Sequence, residues 1–303
     1  MTTETQQSSK VGRLPEWFKT DRSKRSATQK LSSFLEAEIP NSICQEAKCP
    51  NRSECWAKGV LTFMILGTVC TRACGFCSVK HGKPAPPDLG EIESILKAIE
   101  KLDLKFVVMT SPNRDDLPDG GASHYASVIR AIREKFLSVK IEVLIPDFKG
   151  KEADLRTVFE AGPDVINHNI ETVKRLYTRV RKGSLYPRSL NLLKTLKTWD
   201  SDRLTKTGIM LGLGETREDL LEAFKDIRDA GVDILTLGQY LKPDRESLDI
   251  ERYYTPQEFE ELGKIAEEIG IPFVFSGPSV RSSFLADHVF DKALLTKKRN
   301  GFS

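Results

Sequence analysis

The residues best equipped for chemistry are the six cysteines, and all of them fall between Cys44 and Cys77 of a 303-residue chain. Cysteines kept as small buried hydrophobes would scatter through the sequence instead of crowding into one stretch. They form two triplets, Cys44-x4-Cys49-x5-Cys55 and Cys70-x3-Cys74-x2-Cys77. Stable disulfides are uncommon in a reducing compartment, so the thiols read as metal ligands. Three thiolates on one short loop can hold three corners of a [4Fe-4S] cube, whose usual complement is four cysteines. One iron is then open to a small molecule. A structural zinc would instead close a tetrahedron with four ligands, and the second triplet would need His81 or another residue to finish it. The upstream triplet is one ligand short as well, and with no seventh cysteine in the chain its fourth ligand is another residue type.

The elements that carry these loops show in the spacing of apolar residues. From residue 61 onward short apolar runs alternate with helical patterns, the signature of βα units around a parallel sheet. The strand candidates are Leu61–Leu66, Phe106–Ser111, Ile141–Pro146, Val165–Glu171, Thr207–Leu211 and Ile234–Leu241, with Ile271–Ser276 as a possible seventh. The Cys70 triplet follows the first of them. Asp88 to Glu91 reads as a capping box before a helix burying Ile92, Ile95, Leu96 and Ile99. Thr255 to Glu258 reads as another, with Phe259, Leu262 and Ile265 as the buried stripe and Gly270 as terminator. A closed eight-stranded barrel takes about 250 residues, so residues 61–241 hold about six units. The expected class is α/β, a partial (β/α)6 TIM-type barrel with N-terminal and C-terminal extensions, although a doubly wound sheet fits the alternation nearly as well. The expected divisions are an extension over 1–40 that wraps the domain or is partly disordered, a cysteine segment over 41–60, the barrel over 61–278 and a C-terminal segment over 279–303.

Net charge is only +3, which gives no case for nucleic acid or a membrane surface as partner. The polar first residues lack a secretory apolar core, and no stretch approaches the roughly 20 apolar residues of a bilayer span. A cytoplasmic protein is expected. Between Thr172 and Lys206, however, ten Lys or Arg face only Asp200 and Asp202. That excess reads either as a solvated helix surface or as an electrostatic dock for an acidic partner, with Arg179, Arg181 and Lys182 at its centre. On the fourth strand candidate, period-two geometry puts Asn167, Asn169 and Glu171 on one face, toward the barrel interior. His168 falls on the opposite, apolar face and reads as a core histidine. Arg114-Asp115-Asp116 and Asp119-Gly120-Gly121 look like turn chemistry.

The Cys70-x3-Cys74-x2-Cys77 loop after the first barrel strand resembles the signature of the radical S-adenosylmethionine (SAM) superfamily. Its pairing with the upstream triplet closely resembles the lipoyl synthase family. Residues 110–122 (TSPNRDDLPDGGA), 167–172 (NHNIET), 206–215 (KTGIMLGLGE) and 238–241 (GQYL) extend the likeness along most of the chain. Arg281-Ser282-Ser283-Phe284 resembles that family's C-terminal arginine-serine-serine-tyrosine element, with phenylalanine in place of the tyrosine.

The resemblance implies two [4Fe-4S] clusters and SAM as cofactors. Cys70, Cys74 and Cys77 would hold the cluster that cleaves SAM to a 5′-deoxyadenosyl radical, while Cys44, Cys49, Cys55 and Ser283 would hold an auxiliary cluster consumed as sulfur donor. Thr110, Ser111, Asn169, Glu171 and Glu215 would contact SAM. The implied reaction inserts sulfur at C6 and C8 of a protein-bound octanoyl-lysine. Implied partners are octanoylated lipoyl-carrier domains or a glycine cleavage H-type protein, an electron donor such as ferredoxin or flavodoxin, and an iron–sulfur carrier for cluster rebuilding. The loop after Thr110 would shape the substrate entrance. Two rivals stand beside this reading: another radical SAM sulfur inserter such as biotin synthase, against which the lack of cysteines after Cys77 argues, and a zinc-stabilised binding protein.

Overall fold

Runs rich in β-branched and other apolar residues, separated by helices with one apolar stripe, can satisfy both only if the strands pair side by side with helices outside. That is what the chain does. A computed structural model describes residues 14–18, 61–88 and 90–299. In chain order the strands are β1 (Thr62–Met64), the short pair β2 (Val69–Cys70) and β3 (Lys80–His81), β4 (Phe106–Thr110), β5 (Lys140–Leu144), β6 (Val165–Asn167), β7 (Leu204–Leu211), β8 (Ile234–Gln239) and β9 (Phe273–Ser276). The helices are α1 (Glu91–Leu102), α2 (Ala122–Lys135), α3 (Glu152–Glu160), α4 (Tyr177–Val180), α5 (Tyr186–Trp199), α6 (Arg217–Asp229), α7 (Pro256–Ile269) and α8 (Ala286–Arg299).

Seven strands form one sheet in the order β1-β4-β5-β6-β7-β8-β9, each parallel to its neighbours. Spatial order equals chain order. A doubly wound sheet would reverse direction at a switch point, and none exists here. The arrangement is a partial TIM-type barrel, and the possible seventh strand is a real one. Ladders are shorter than the apolar runs in places. The Val165–Glu171 candidate pairs continuously only to Asn167, then bends and rejoins β7 through an isolated bridge between Glu171 and Ile209.

Of the two capping boxes, that at Thr255 forms, with Glu258 N–H donating to its hydroxyl at 3.2 Å and Gly270 closing α7 at φ 113°. The one before α1 does not. Asp88 instead accepts from Gly90 N–H at 2.8 Å, and Glu91 turns away to accept from Leu66 N–H at 3.0 Å and to meet His124 Nε2 at 2.7 Å. Leu66 is left-handed at φ 67°, and the carboxylate holds that strained turn just upstream of the Cys70 loop.

The main core lies between the sheet and its helices. A second apolar cluster fills the barrel interior at its N-terminal end, where Phe106, Val108, Val165, Leu204 and Ile234 pack against Ala286, Val289, Phe290 and Ala293 of α8. The C-terminal segment thus plugs the bottom of the barrel. Above the plug sits a buried polar group: Lys206 Nζ lies 3.0 and 3.1 Å from the Glu142 carboxylate, and Asn167 Nδ2 donates to the same carboxylate at 3.1 Å. Both charged side chains are 1% exposed. Removing one member of a buried pair strands the other, at about 3–5 kcal/mol. Lys206→Met should therefore destabilise the protein by about 3–5 kcal/mol in urea unfolding followed by circular dichroism, whereas Glu142→Leu with Lys206→Met should recover most of that loss. Equal losses in the single and double variants would contradict it.

Candidate functional site

At the C-terminal ends of the strands the barrel opens into a cavity of about 800 Å3 whose wall includes Cys70, Cys74 and Cys77. Cys70 ends β2, which pairs with β3, so the two strands pinch together the ends of the loop bearing the other thiols. Gly75 at the loop's tip donates to Val180 O at 2.9 Å and accepts from Leu248 N–H at 2.8 Å. A Cβ there would come within 2.9 Å of the Leu248 side chain, so a larger residue would force Leu248 to move.

Arg72 anchors the loop from within. Its guanidinium donates to both Asp115 oxygens at 2.7 and 2.8 Å, to Asp147 at 2.6 Å and to Ser184 Oγ at 2.9 Å. Burial works against its charge, but the bonds to Asp115 and Asp147 outweigh that and raise its pKa further. Asp147 is the counterpart: burial alone would raise it, yet the Arg72 guanidinium holds it well below the usual carboxylate range. Arg114, also buried, donates to Leu66 O and Ala85 O at 2.9 Å each, tying the segments before and after the loop to the turn after β4. Of the residues that read as turn chemistry, Arg114 and Asp115 are also the loop's scaffold, while Asp119 makes the turn itself by accepting from the Gly121 and Ser123 N–H groups. Burial pushes the Cys74 thiol up to about 12, with nearby Arg181 pulling the other way.

Thr110, Ser111, Asn169 and Glu171 join the thiols around the same cavity. Glu171 takes a left-handed backbone at φ 72°, pinned by hydrogen bonds to β7, and burial raises its carboxyl pKa, with Arg181 and Asn169 opposing. Asn169 Nδ2 donates to Glu171 Oε1 at 3.1 Å, which leaves Asn169 Oδ1 buried without a protein partner. The segment after β9 is tied to β8 through Gly277 N–H to Leu237 O and Gln239 N–H to Pro278 O. A Cβ on Gly238 would lie 2.1 Å from Val280 O, so glycine lets this segment cross the strand end and bring Arg281 and Ser282 to the cavity. Three thiols on one side and unpaired or strained polar groups on the other fit an open-cornered cluster beside a polar ligand such as SAM.

Other expected residues lie elsewhere. Glu215 does not line this cavity; it braces its own loop by accepting from Gly212 and Leu213 N–H at 2.6 and 2.9 Å, beside a smaller cavity of about 280 Å3. Ser283 is half-buried next to Ser282 but is not part of the cavity wall. Phe284 is buried and stacks on Phe275 at 6.3 Å between ring centroids. Cys44, Cys49 and Cys55 lie outside the described residues, as does most of the N-terminal extension, of which Phe18 meets Tyr253 at 6.1 Å. His168 is the core histidine its face suggests: Nδ1 meets Ile145 O at 2.8 Å, Nε2 meets Ser189 Oγ at 2.9 Å, and burial drives its pKa down to about 3.

The cations of residues 172–206, read either as a solvated surface or as a dock, are mostly engaged within the fold. Arg181 is buried, donating to Asn169 O at 2.6 Å and to the Tyr177 hydroxyl at 2.7 Å, and it faces the cavity. Most of the other cations are paired with acids, including Arg175 with Asp219, Arg179 with Glu251, Arg188 with Asp147 and Lys197 with Asp233. Charges that look unbalanced along the chain are balanced across the fold. Among the described residues no helix is long and apolar enough to cross a membrane.

Comparison with known proteins gives consistent results. A profile for the Radical SAM superfamily matches residues 64–227. A lipoyl synthase of Caldanaerobacter subterraneus subsp. tengcongensis is 50% identical over 275 residues, 91% of this chain and 96% of its own length. A lipoyl synthase of Myxococcus xanthus is 48% identical over 288 residues, covering 95% and 97% of the two chains. Among solved structures, Streptococcus suis SuiB bound to its precursor peptide SuiA matches 75% of this chain with a TM-score of 0.56 at 13% identity; the match spans about half, 52%, of SuiB. HydG, a maturase of the [FeFe]-hydrogenase, matches 91% of this chain and 78% of its own with a TM-score of 0.53 at 11% identity. Such low identities show a common fold alone.

The Arg72–Asp147 pair has a pH signature. Because the folded-state pKa of Asp147 is depressed, its stabilisation is complete above the unfolded value of about 3.9 and is lost as pH falls toward the folded one. Asp147→Asn should lower stability by about 2 kcal/mol at pH 7, with the gap to the unaltered apoprotein closing below about pH 4 in urea unfolding. A gap that stays constant down to pH 3 would refute the assignment.

Proposed function

This chain belongs to the lipoyl synthase family of the radical SAM superfamily, and from that membership we propose how its own residues divide the work. It is a sulfur-inserting enzyme that places two sulfur atoms, at C6 and C8, into a protein-bound octanoyl-lysine to give the lipoyl group. When bound, a [4Fe-4S] cluster and SAM supply the electron and the carbon radical that remove hydrogen from unactivated C–H bonds, a step no acid or base among these residues could perform.

In the proposed division, Cys70, Cys74 and Cys77 hold that cluster. What supports this is the gathering of the three thiols with Asn169 and Glu171 around one cavity at the mouth of the barrel. Thr110, Ser111, Asn169 and Glu171 hold SAM, with the unpartnered Asn169 Oδ1 as an acceptor. Glu215 acts indirectly, by fixing the turn after β7. Arg181 keeps a positive charge beside the thiolates and Glu171, offsetting the negative charge gathered there.

Cys44, Cys49, Cys55 and Ser283 hold the auxiliary cluster, the substrate that gives up its sulfur. The segment crossing Gly238 delivers Ser282 to the cavity wall, and Ser283 follows it directly. An oxygen ligand is harder than a thiolate and releases iron more readily, which suits a cluster that is dismantled. The acyl chain arrives on an octanoylated carrier domain or H-type protein, electrons come from a ferredoxin or flavodoxin, and an iron–sulfur carrier rebuilds the consumed cluster.

Anaerobic incubation with an octanoyl-lysine peptide, SAM and dithionite, followed by mass spectrometry, should yield lipoyl peptide with two molecules of 5′-deoxyadenosine per product. The purified protein should carry about eight iron and eight sulfide. Replacing Cys44, Cys49 and Cys55 with alanine should halve both and abolish lipoyl formation while SAM cleavage continues. Lipoyl product from that triple variant would overturn the assignment of the sulfur source, and stoichiometric zinc with little iron would overturn both cluster assignments.

A further inference from the structure

Cys70 ends its strand facing a ring of N–H donors. The Asn113 backbone N–H lies 3.3 Å from its sulfur, the Asn113 side-chain nitrogen 3.9 Å, and the Arg72 N–H 3.4 Å. Asn113 is held in place: its carbonyl accepts from both the N–H and the hydroxyl of Thr71 at 2.9 Å, and that hydroxyl accepts from Asp115 N–H at 3.0 Å. The Asn113 Oδ1 atom, by contrast, is buried with no protein hydrogen bond, so it is the nitrogen end of the amide that is engaged.

We propose that Asn113 is a positioning residue that raises the reduction potential of the cluster on Cys70, Cys74 and Cys77 by aiming two N–H donors at the Cys70 thiolate. The inference rests on the reading of those three cysteines as cluster ligands. Reduction adds one negative charge to a cluster and its sulfurs, and N–H donors to sulfur stabilise the more negative state more strongly. Thr71, between Cys70 and Arg72 in the chain, keeps the donors aligned through its two bonds to the Asn113 carbonyl.

Asn113→Leu removes the side-chain donor at similar size, and Asn113→Asp replaces it with a negative charge at similar shape; both keep the backbone N–H. The readout is the midpoint potential of the electron paramagnetic resonance signal that SAM perturbs, titrated anaerobically in the holoenzyme with iron counted. Asn113→Leu should lower the equilibrium constant for reduction about tenfold, a shift of about 59 mV to more negative potential for one electron, and Asn113→Asp should lower it further. In wild-type protein carrying 15N-asparagine, pulsed resonance on the reduced cluster should show a nitrogen coupling that Asn113→Leu loses. An unchanged potential in fully loaded Asn113→Leu, or no asparagine coupling in the wild type, overturns the proposal. The second measurement decides alone if the variants fail to load iron. A wild-type protein with no SAM-perturbed signal at all overturns the cluster assignment itself, and the proposal with it.

Discussion

The interaction on which the rest depends is the fork of Arg72 within the cysteine loop. A nine-residue connection between two short strands has little rigidity of its own, yet its three thiols are all held at the wall of one cavity. The chain solves this by placing the anchor between the first and second thiol and fastening it to carboxylates on two different strand-end loops. A planar guanidinium can donate to Asp115, Asp147 and Ser184 at once because its N–H groups diverge in fixed directions, which a lysine cannot match. Asp147 is shared in turn with Arg188 at 3.2 Å, so the second carboxylate is itself held from α5.

The barrel interior is graded along its axis. Apolar side chains and α8 close the bottom, Lys206, Glu142 and Asn167 form a charged middle, and the cavity occupies the top. Along β7 the same inward face carries Lys206, then Gly208, then Met210, so one strand contributes to the charged layer and to the cavity wall two residues apart. The charged layer thus separates the apolar plug from the cavity at the open end.

Much of the fold was legible because period-two and helical patterns are local consequences of burying one face. The strand candidates, the extra strand at Phe273–Ser276 and the capping box at Thr255 all follow from neighbouring residues. Expectations that failed did so because distant residues intervened. Glu91 abandons its cap for the strained Leu66 turn, which no local rule foresees. The basic stretch looked unbalanced because Asp219, Asp233, Glu142 and Glu251, which pair with its cations, lie outside it in sequence. Within the site, the cysteines and the alternation of Asn167, Asn169 and Glu171 were readable from spacing. Arg72, Asn113 and Asp147 were not, since each gains its importance only when three loops meet. The one available hint was an arginine enclosed by the cysteine triplet together with the paired aspartates after Asn113.

The sequential strand order has a bearing on how the protein is born. Because each strand of the sheet pairs with the one made just before it, the sheet can grow unit by unit as the polypeptide emerges. The thiol loop is among the earliest parts to appear, but its anchor finds Asp115, Asp147 and Ser184 only after further units have been laid down. Nascent protein therefore displays unshaped thiols for a time, open to oxidation until the scaffold has closed around Arg72.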